Sequence, residues 1–304
     1  MTAERRMRVM GSEAHLLAVG GDERLLDDAE QRLLDLEEKW SRFIPGSEVS
    51  RLNAQPGQEL AVSHDTVLLF SAAVEANRLT LGWFDPTVLA ALLVKGYTSN
   101  RYGAGEECRI GWQPTGGAAP GCRGIDIDPM LNMVRLPAGS GFDPGGIGKG
   151  LAADLVTEEM IQAGASGALV NLGGDLRVRG RAPETDFWVV DIEDPFNPDL
   201  PVLAVRMIEG AVASSSTLIR NWVHRGRAEH HLIDPQTGDG PANGVVAASV
   251  VAGSGWMAEA FSKVAMLAPT PLDALELIDG AGLSGLVVKE DGTVEVSSGL
   301  GAFL

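Results

Sequence analysis

The chain is poor in cysteine, in positive charge and in long apolar runs. Its two cysteines, Cys108 and Cys122, show no Cys-x-x-Cys spacing. Two thiols are too few for a disulfide framework; they leave one bridge open and favour a reducing compartment. Lysine and arginine number 24 against 41 aspartates and glutamates, a formal charge of −17. That balance argues against nucleic acid and anionic membrane as main partners, because both would be repelled. No apolar stretch approaches the length of a membrane-spanning helix, so no membrane insertion is expected. The opening MTAERRMRVM has basic residues with no apolar run behind them, unlike a secretory signal. The expected location is therefore cytoplasmic. Low-complexity tracts, a collagen-like period and internal repeats are also missing.

Glycine is abundant, at 38 residues, and it gathers in tight turns rather than in a linker. With 304 residues, 45% hydrophobic and 21% charged, the chain can bury a large core. No linker stands out, and the expectation is one domain over 1–304, with two lobes allowed. An acidic protein that binds an anionic ligand needs local cations or a helix N-terminus to offset its own field.

Residues 7–19 read as a strand or the start of a hairpin. From Asp22 to Arg42, apolar residues at Leu25, Leu26, Ala29, Leu33, Leu36 and Trp40 recur at helical spacing. Ser63 to Leu79 is a second amphipathic helix with Ser63 as its N-cap. Residues 98–123, rich in Gly, Pro, Thr and Arg, read as a surface excursion. Short strands at 124–128 and 133–136 lead into the turn FDPGGIGKG, which opens a helix over 150–163. The buried strand GALVNL follows, then strand-like runs at FWVVDIE, VLAVRMI, GAVASSS, HHLID and VVAASVVAG. Helices over 257–267 and 272–278 precede final strands at 285–288 and 293–296. Helices grouped early and strands grouped late give an α+β fold with mixed or antiparallel sheets, not a doubly wound parallel one.

The strongest local signal is FDPGGIGKGLAAD at 142–154. Its glycines permit close backbone approach, the following helix presents free N–H groups, and Lys149 adds a positive charge, a set suited to phosphate. It is neither a Walker A sequence nor a GxGxxG fingerprint, and a plain strand-to-helix turn is the other reading. GALVNLGGD at 167–175 closes a strand on paired glycines, which suits either a turn or a close approach to a ligand. HHLIDPQTG at 230–238 offers histidine, the side chain suited to take a hydroxyl proton near neutral pH. If it is a strand, His230 and His231 face opposite ways and only one enters a site. WFDPT at 83–87 sets aromatic surface beside a carboxylate, and serves a core equally well.

Taken in order, these segments resemble the motifs of the ApbE-type FAD:protein FMN transferases. The matches are Met10–Ser12 (Met-Gly-Ser for the family's Met-Gly-Thr), SRF…SEVSRLN at 41–53, and G-x-FDPTV at 82–88. They continue with D-x-G-G-I-x-K-G-x-x-x-D at 143–154, VNLGGD at 170–175, VASS at 212–215 and H-x-I-D-P-x-TG at 231–238. The resemblance implies a T-fold-like α+β architecture, FAD as substrate, Mg²⁺ as metal, and a flavin-acceptor protein as partner. FMN would be joined through a phosphoester to a Thr or Ser of that acceptor, with AMP released. Hydrolysis of FAD to FMN and AMP, or FAD binding without turnover, are the alternatives. Carried over by motif, Met10, Phe43, Trp83, Phe84 and Asp85 would contact the flavin. Asp143 and Lys149 would serve the ribose or pyrophosphate region, and His231 would activate the acceptor hydroxyl. Gly146 and Glu259 would belong to the metal site.

One stretch departs from the family. Relatives carry Ala-Asp-x-x-x-Thr on the late helix, with Asp and Thr supplying metal oxygens. Here it reads Ala258-Glu259-Ala260-Phe261-Ser262-Lys263. Glu259 keeps a carboxylate, one methylene longer, whereas a charged Lys263 has no lone pair and repels a cation. Glu259 and Lys263 lie one helical turn apart and can pair with each other.

Overall fold

A computed structural model describes residues 2–99, 107, 108 and 110–304. Part of the expected surface excursion over 98–123 lies outside the described residues. The chain opens on a hairpin, β1 (Thr2–Val9) and β2 (Ser12–Val19), turned at Met10 and Gly11 with φ of 52° and 64°. Positive φ at both central residues is what a two-residue turn needs to match the twist of its strands. Next come α1 (Glu23–Trp40), α2 (Glu48–Ala54), β3 (Glu59–Ala61), α3 (His64–Leu79), α4 (Leu89–Val94), β4 (Asp126–Asp128) and β5 (Met133–Arg135). Ser63 caps α3 as expected, accepting the Thr66 N–H. After α5 (Gly148–Gln162) come β6 (Gly167–Leu172), β7 (Asp175–Gly180), β8 (Trp188–Asp194), β9 (Asn197–Met207) and β10 (Gly210–Ser216). β11 (Asn221–His224), β12 (Arg227–His230) and β13 (Val245–Ala252) lead to α6 (Gly255–Leu267), α7 (Pro271–Gly280), β14 (Ser284–Lys289) and β15 (Val294–Val296).

These elements form two compact units. The first holds the chain up to Asp35, Lys149–Leu218 and Asn243–Leu304; the second holds Leu36–Gly148 and Ile219–Ala242. In the first, eight strands make one sheet in the order β1-β2-β6-β7-β10-β13-β14-β15, antiparallel at every junction. All of β13 is buried. Val251 joins a cluster with Val178, Val212 and the Trp188, Ile192 and Met207 side chains of the β8–β9 hairpin, while α6 packs on β10 and β13. Cover on both sides explains why VVAASVVA lacks the polar alternation of a half-exposed strand.

The second unit contains the small sheet β3-β5-β4, the hairpin β11-β12, and α2, α3 and α4. Its core includes Phe70 stacked on Phe142, ring centroids 4.0 Å apart. The fold is α+β with antiparallel sheets. Cys108 and Cys122 are both free thiols.

One expectation fails here. HHLID is not a strand: β12 ends at His230, and residues 231–234 lead into a turn built around Asp234. Asp234 Oδ1 accepts the Gln236 N–H at 2.8 Å, its Oδ2 accepts from Thr237 Oγ1 at 3.1 Å, and its carbonyl accepts the Gly238 N–H at 2.8 Å. These local bonds outcompete a sheet ladder. With β12 ending at His230, strand alternation does not set His230 and His231 on opposite faces. Their rings lie 4.5 Å apart, tilted by 39°.

Candidate active site

In the second unit the turn after Phe142 is fixed from several sides. Asn53, fully buried at the end of α2, accepts the Phe142 N–H at 2.7 Å and donates to its carbonyl at 2.9 Å. Asp143 donates its own N–H to the Pro86 carbonyl at 2.7 Å, and its Oδ1 accepts the Gly145 N–H at 2.9 Å. Arg42, 3% exposed, brings its Nε to 3.5 Å from the same Oδ1. The Ile147 and Gly148 N–H groups both donate to the Pro144 carbonyl, which starts α5. Asp143 is thus a mostly buried carboxylate with one fixed orientation, and Gly146 lies half-buried in the same turn.

Arg42 also organises aromatic surface. Its guanidinium lies 4.2 Å from the Phe43 ring centroid and 4.8 Å from that of Tyr97, whose carbonyl it donates to twice at 3.1 Å. Tyr97 stacks on Trp222 at 5.0 Å. Phe43 and Trp83 are half-buried, and Trp83 sits just after Gly82 with φ of 87°. Phe84 and Asp85 are buried. Asp85 Oδ1 accepts the Thr87 N–H at 2.8 Å and its hydroxyl at 2.6 Å, and Thr87 Oγ1 accepts the Gly121 N–H at 3.0 Å. Burial pushes the Asp85 carboxyl up from its ordinary range, against the pull of the Thr87 bonds. His231 is half-buried beside His230, whose Nδ1 accepts the Leu232 N–H at 2.9 Å.

In the first unit, Met10 is half-buried at the tip of its hairpin. A cluster of charged side chains forms where α5 meets α6. The two helices approach so closely at Gly150 and Gly255 that a Cβ on either would run into the other's backbone. Asp154 accepts the Gly255 and Trp256 N–H groups at 2.7 and 3.1 Å, capping α6 from a neighbouring helix. Arg177 Nε approaches the same carboxylate at 3.3 Å. Burial raises the Asp154 carboxyl to about 6, with the two N–H donors and Arg177 opposing.

Held in this way, Glu259 is fully buried. Its Oε2 accepts the Gly150 N–H at 2.8 Å, and its Oε1 lies 3.4 Å from Lys263 Nζ and 3.7 Å from Lys149 Nζ. Lys149 also pairs with Asp175, 1% exposed at the start of β7. Of the two roles open to Lys263, pairing with Glu259 or reaching the pyrophosphate, the structure shows the pairing. These side chains do not fit the divalent cation that the resemblance implies. Both oxygens of Glu259 are engaged, two ammonium groups face one of them, and the family's hydroxyl ligand is replaced by one of those ammoniums. Among the described residues, no group of three or more His, Cys, Asp or Glu is placed to hold a metal ion.

Arg42, Asn53, Asp154, Asp175, Tyr97 and Trp222 were not singled out as site residues by their sequence positions. Four of them do lie inside the quoted motifs: Arg42 in SRF, Asn53 in SEVSRLN, Asp154 at the end of the glycine-turn motif, and Asp175 in VNLGGD. Tyr97 and Trp222 carry no local signal.

Comparison with known proteins identifies the family. The ApbE family model matches residues 10–286. The FAD:protein FMN transferase of Haemophilus influenzae is 27% identical over 288 residues, covering 90% of this chain and 75% of that protein. That of Vibrio cholerae is 28% identical over 239 residues, covering 76% and 69%. Among solved structures, the ApbE protein of Thermotoga maritima shares 26% identity with a TM-score of 0.86, covering 100% of this chain and 99% of that one. The flavin transferase ApbE from Vibrio cholerae, at 22% identity, covers 100% and 99% with a TM-score of 0.79 and shares the fold. With the family match running over most of its length, this chain belongs to the ApbE family.

Proposed function

We propose that this chain is an FAD:protein FMN transferase. The observation that carries the proposal is family membership joined to a charged, rigidly held turn, with Asp143 fixed by Arg42 and the Gly145 N–H and Lys149 following on α5. In the reaction, the hydroxyl oxygen of a Thr or Ser on the acceptor protein attacks the phosphorus on the FMN side of the FAD anhydride. A new P–O bond forms, the anhydride P–O bond breaks, and AMP leaves with the electron pair. His231 takes the hydroxyl proton, held at the entrance of the Asp234 turn. Lys149 offsets charge on the diphosphate by turning its ammonium away from Asp175 and Glu259, the kind of electrostatic support that phosphoryl transfer needs most.

Met10, Phe43 and Trp83 offer half-buried surface for the flavin. Phe84 and Asp85 serve it from buried positions, through the loop they hold in place. Asp143 serves the ribose or pyrophosphate region. Magnesium is the part of the family's chemistry that the surroundings of Glu259 do not support. The two free thiols fit a reducing compartment, and with it an acceptor reached in the cytoplasm. Incubation with FAD and an acceptor protein, following AMP and protein-bound fluorescence, tests the proposal; AMP without labelled protein would mean hydrolysis instead.

A further inference from the structure

Four charged side chains in the first unit form one compact arrangement: Lys149, Asp175, Glu259 and Lys263. The two carboxylates are buried and the two lysine side chains are 13% and 12% exposed. Their formal charges sum to zero. Buried carboxylates persist only when paired and hydrogen-bonded, and Glu259 meets both conditions through two ammoniums and the Gly150 N–H.

We infer that Lys263 takes the place of a divalent cation in this chain, so that the cluster excludes such a cation instead of binding one. The inference rests on the transferase reading for its meaning, but on geometry for its content. A magnesium ion needs oxygen ligands at about 2.0–2.1 Å in a nearly octahedral shell. At Glu259 Oε1 the approach is shared by the Lys263 and Lys149 ammoniums. A cation arriving there must displace at least one of them, leaving an ammonium in a poorly solvated place beside a doubly charged ion. A Thr at 263 would remove the competing charge and offer an oxygen. The Lys263 ammonium, already in place on α6, supplies positive charge without any metal.

The test is a titration of Mn²⁺ into the full chain, with free Mn²⁺ followed by electron paramagnetic resonance and heat by calorimetry. The wild type, Lys263→Thr and Lys263→Met are compared, with thermal melting and circular dichroism confirming that each is folded. The wild type is expected to leave the free Mn²⁺ signal undepleted at concentrations where Lys263→Thr binds about one equivalent. Lys263→Met, which removes the charge but adds no oxygen, is expected to bind more weakly than Lys263→Thr and more tightly than the wild type. FAD affinity of the wild type is expected to be the same in Mg²⁺ and in a chelator. Mn²⁺ bound equally by the wild type and Lys263→Thr, or by neither, overturns the inference, because Lys263 would then decide nothing. The Mn²⁺ titration needs no FAD, so its failure is separate from that of the transferase reading, which is judged by AMP release.

Discussion

The side-chain amide of Asn53 brackets the backbone of Phe142, accepting its N–H at 2.7 Å and donating to its carbonyl at 2.9 Å. All the groups involved are buried, so no solvent replaces them when Asn53 is shortened. Asn53→Ala is expected to destabilise the chain by about 1–3 kcal/mol for each backbone group left without a partner. FAD affinity should fall as well, because Asp143 follows Phe142 directly. Denaturant unfolding and FAD titration of the variant measure the two effects. Unchanged stability would mean that the turn is held without this clamp.

Gly150 is a second fixed point, pressed against the backbone of Gly255. Gly150→Ala would force α6 away and carry Glu259 with it. Overpacking of this kind typically costs about 1–3 kcal/mol. A variant whose melting temperature and FAD affinity match those of the wild type would show that the helices tolerate separation.

Asp154 makes stability depend on pH. Its carboxyl is raised by burial to about 6, above an ordinary value of 3.8. The folded state therefore holds this proton more tightly than the unfolded chain does, and raising the pH from about 4 to beyond 6 costs stability. The shift corresponds to roughly 3 kcal/mol at most. The stability of the wild type relative to Asp154→Asn is expected to fall as pH rises through that window. A relative stability that climbs instead would mean that Arg177 and the two N–H donors outweigh burial.

The two adjacent histidines separate chemistry from support. His231→Ala is expected to lower turnover by about 10²–10⁴-fold, the range for losing a general base, with little change in FAD affinity. His230→Ala removes the acceptor of the Leu232 N–H and a ring beside His231. Its loss in turnover is expected to be smaller. Steady-state rates of AMP release compare them, and a larger loss at His230 would move the base to that residue.

Much of this architecture is legible in the sequence where its causes are local. The Ser63 cap, the helical stripe from Leu25 to Trp40 and the apolar run of β13 all follow from spacing within one element, and the four-residue spacing of Glu259 and Lys263 allows the ion pair without requiring it. The failure at His231 has a local cause too. The Asp-Pro-x-Thr-Gly stretch bonds to itself and stops the strand at His230, a competition that apolar patterning does not weigh. What the sequence hides is tertiary. Asn53 finds Phe142 across 89 positions and Asp154 finds Gly255 across 101, and each polar residue looks like ordinary helix surface until its partner arrives. Both lie inside motifs without being singled out by them, and the structure shows what each holds: the backbone before Asp143, and the start of the helix that carries Glu259.

Preference among flavins tests the ligand side. FAD is expected to bind more tightly than FMN or riboflavin, because the glycine turn after Asp143 leads into α5 and Lys149, which suit the diphosphate end, while Phe43 and Trp83 offer aromatic surface. Fluorescence titrations compare the three. Equal affinity would mean that the turn does not touch the pyrophosphate.

The most direct measurement is transfer itself: the chain with FAD and a flavinylatable acceptor protein, with AMP counted by chromatography and flavin by fluorescence of the denatured acceptor. The expected result is AMP and acceptor-bound FMN in equal amounts, dependent on His231 and on a Thr or Ser hydroxyl of the acceptor. FAD that binds and is never cleaved, with or without any divalent metal, would contradict it.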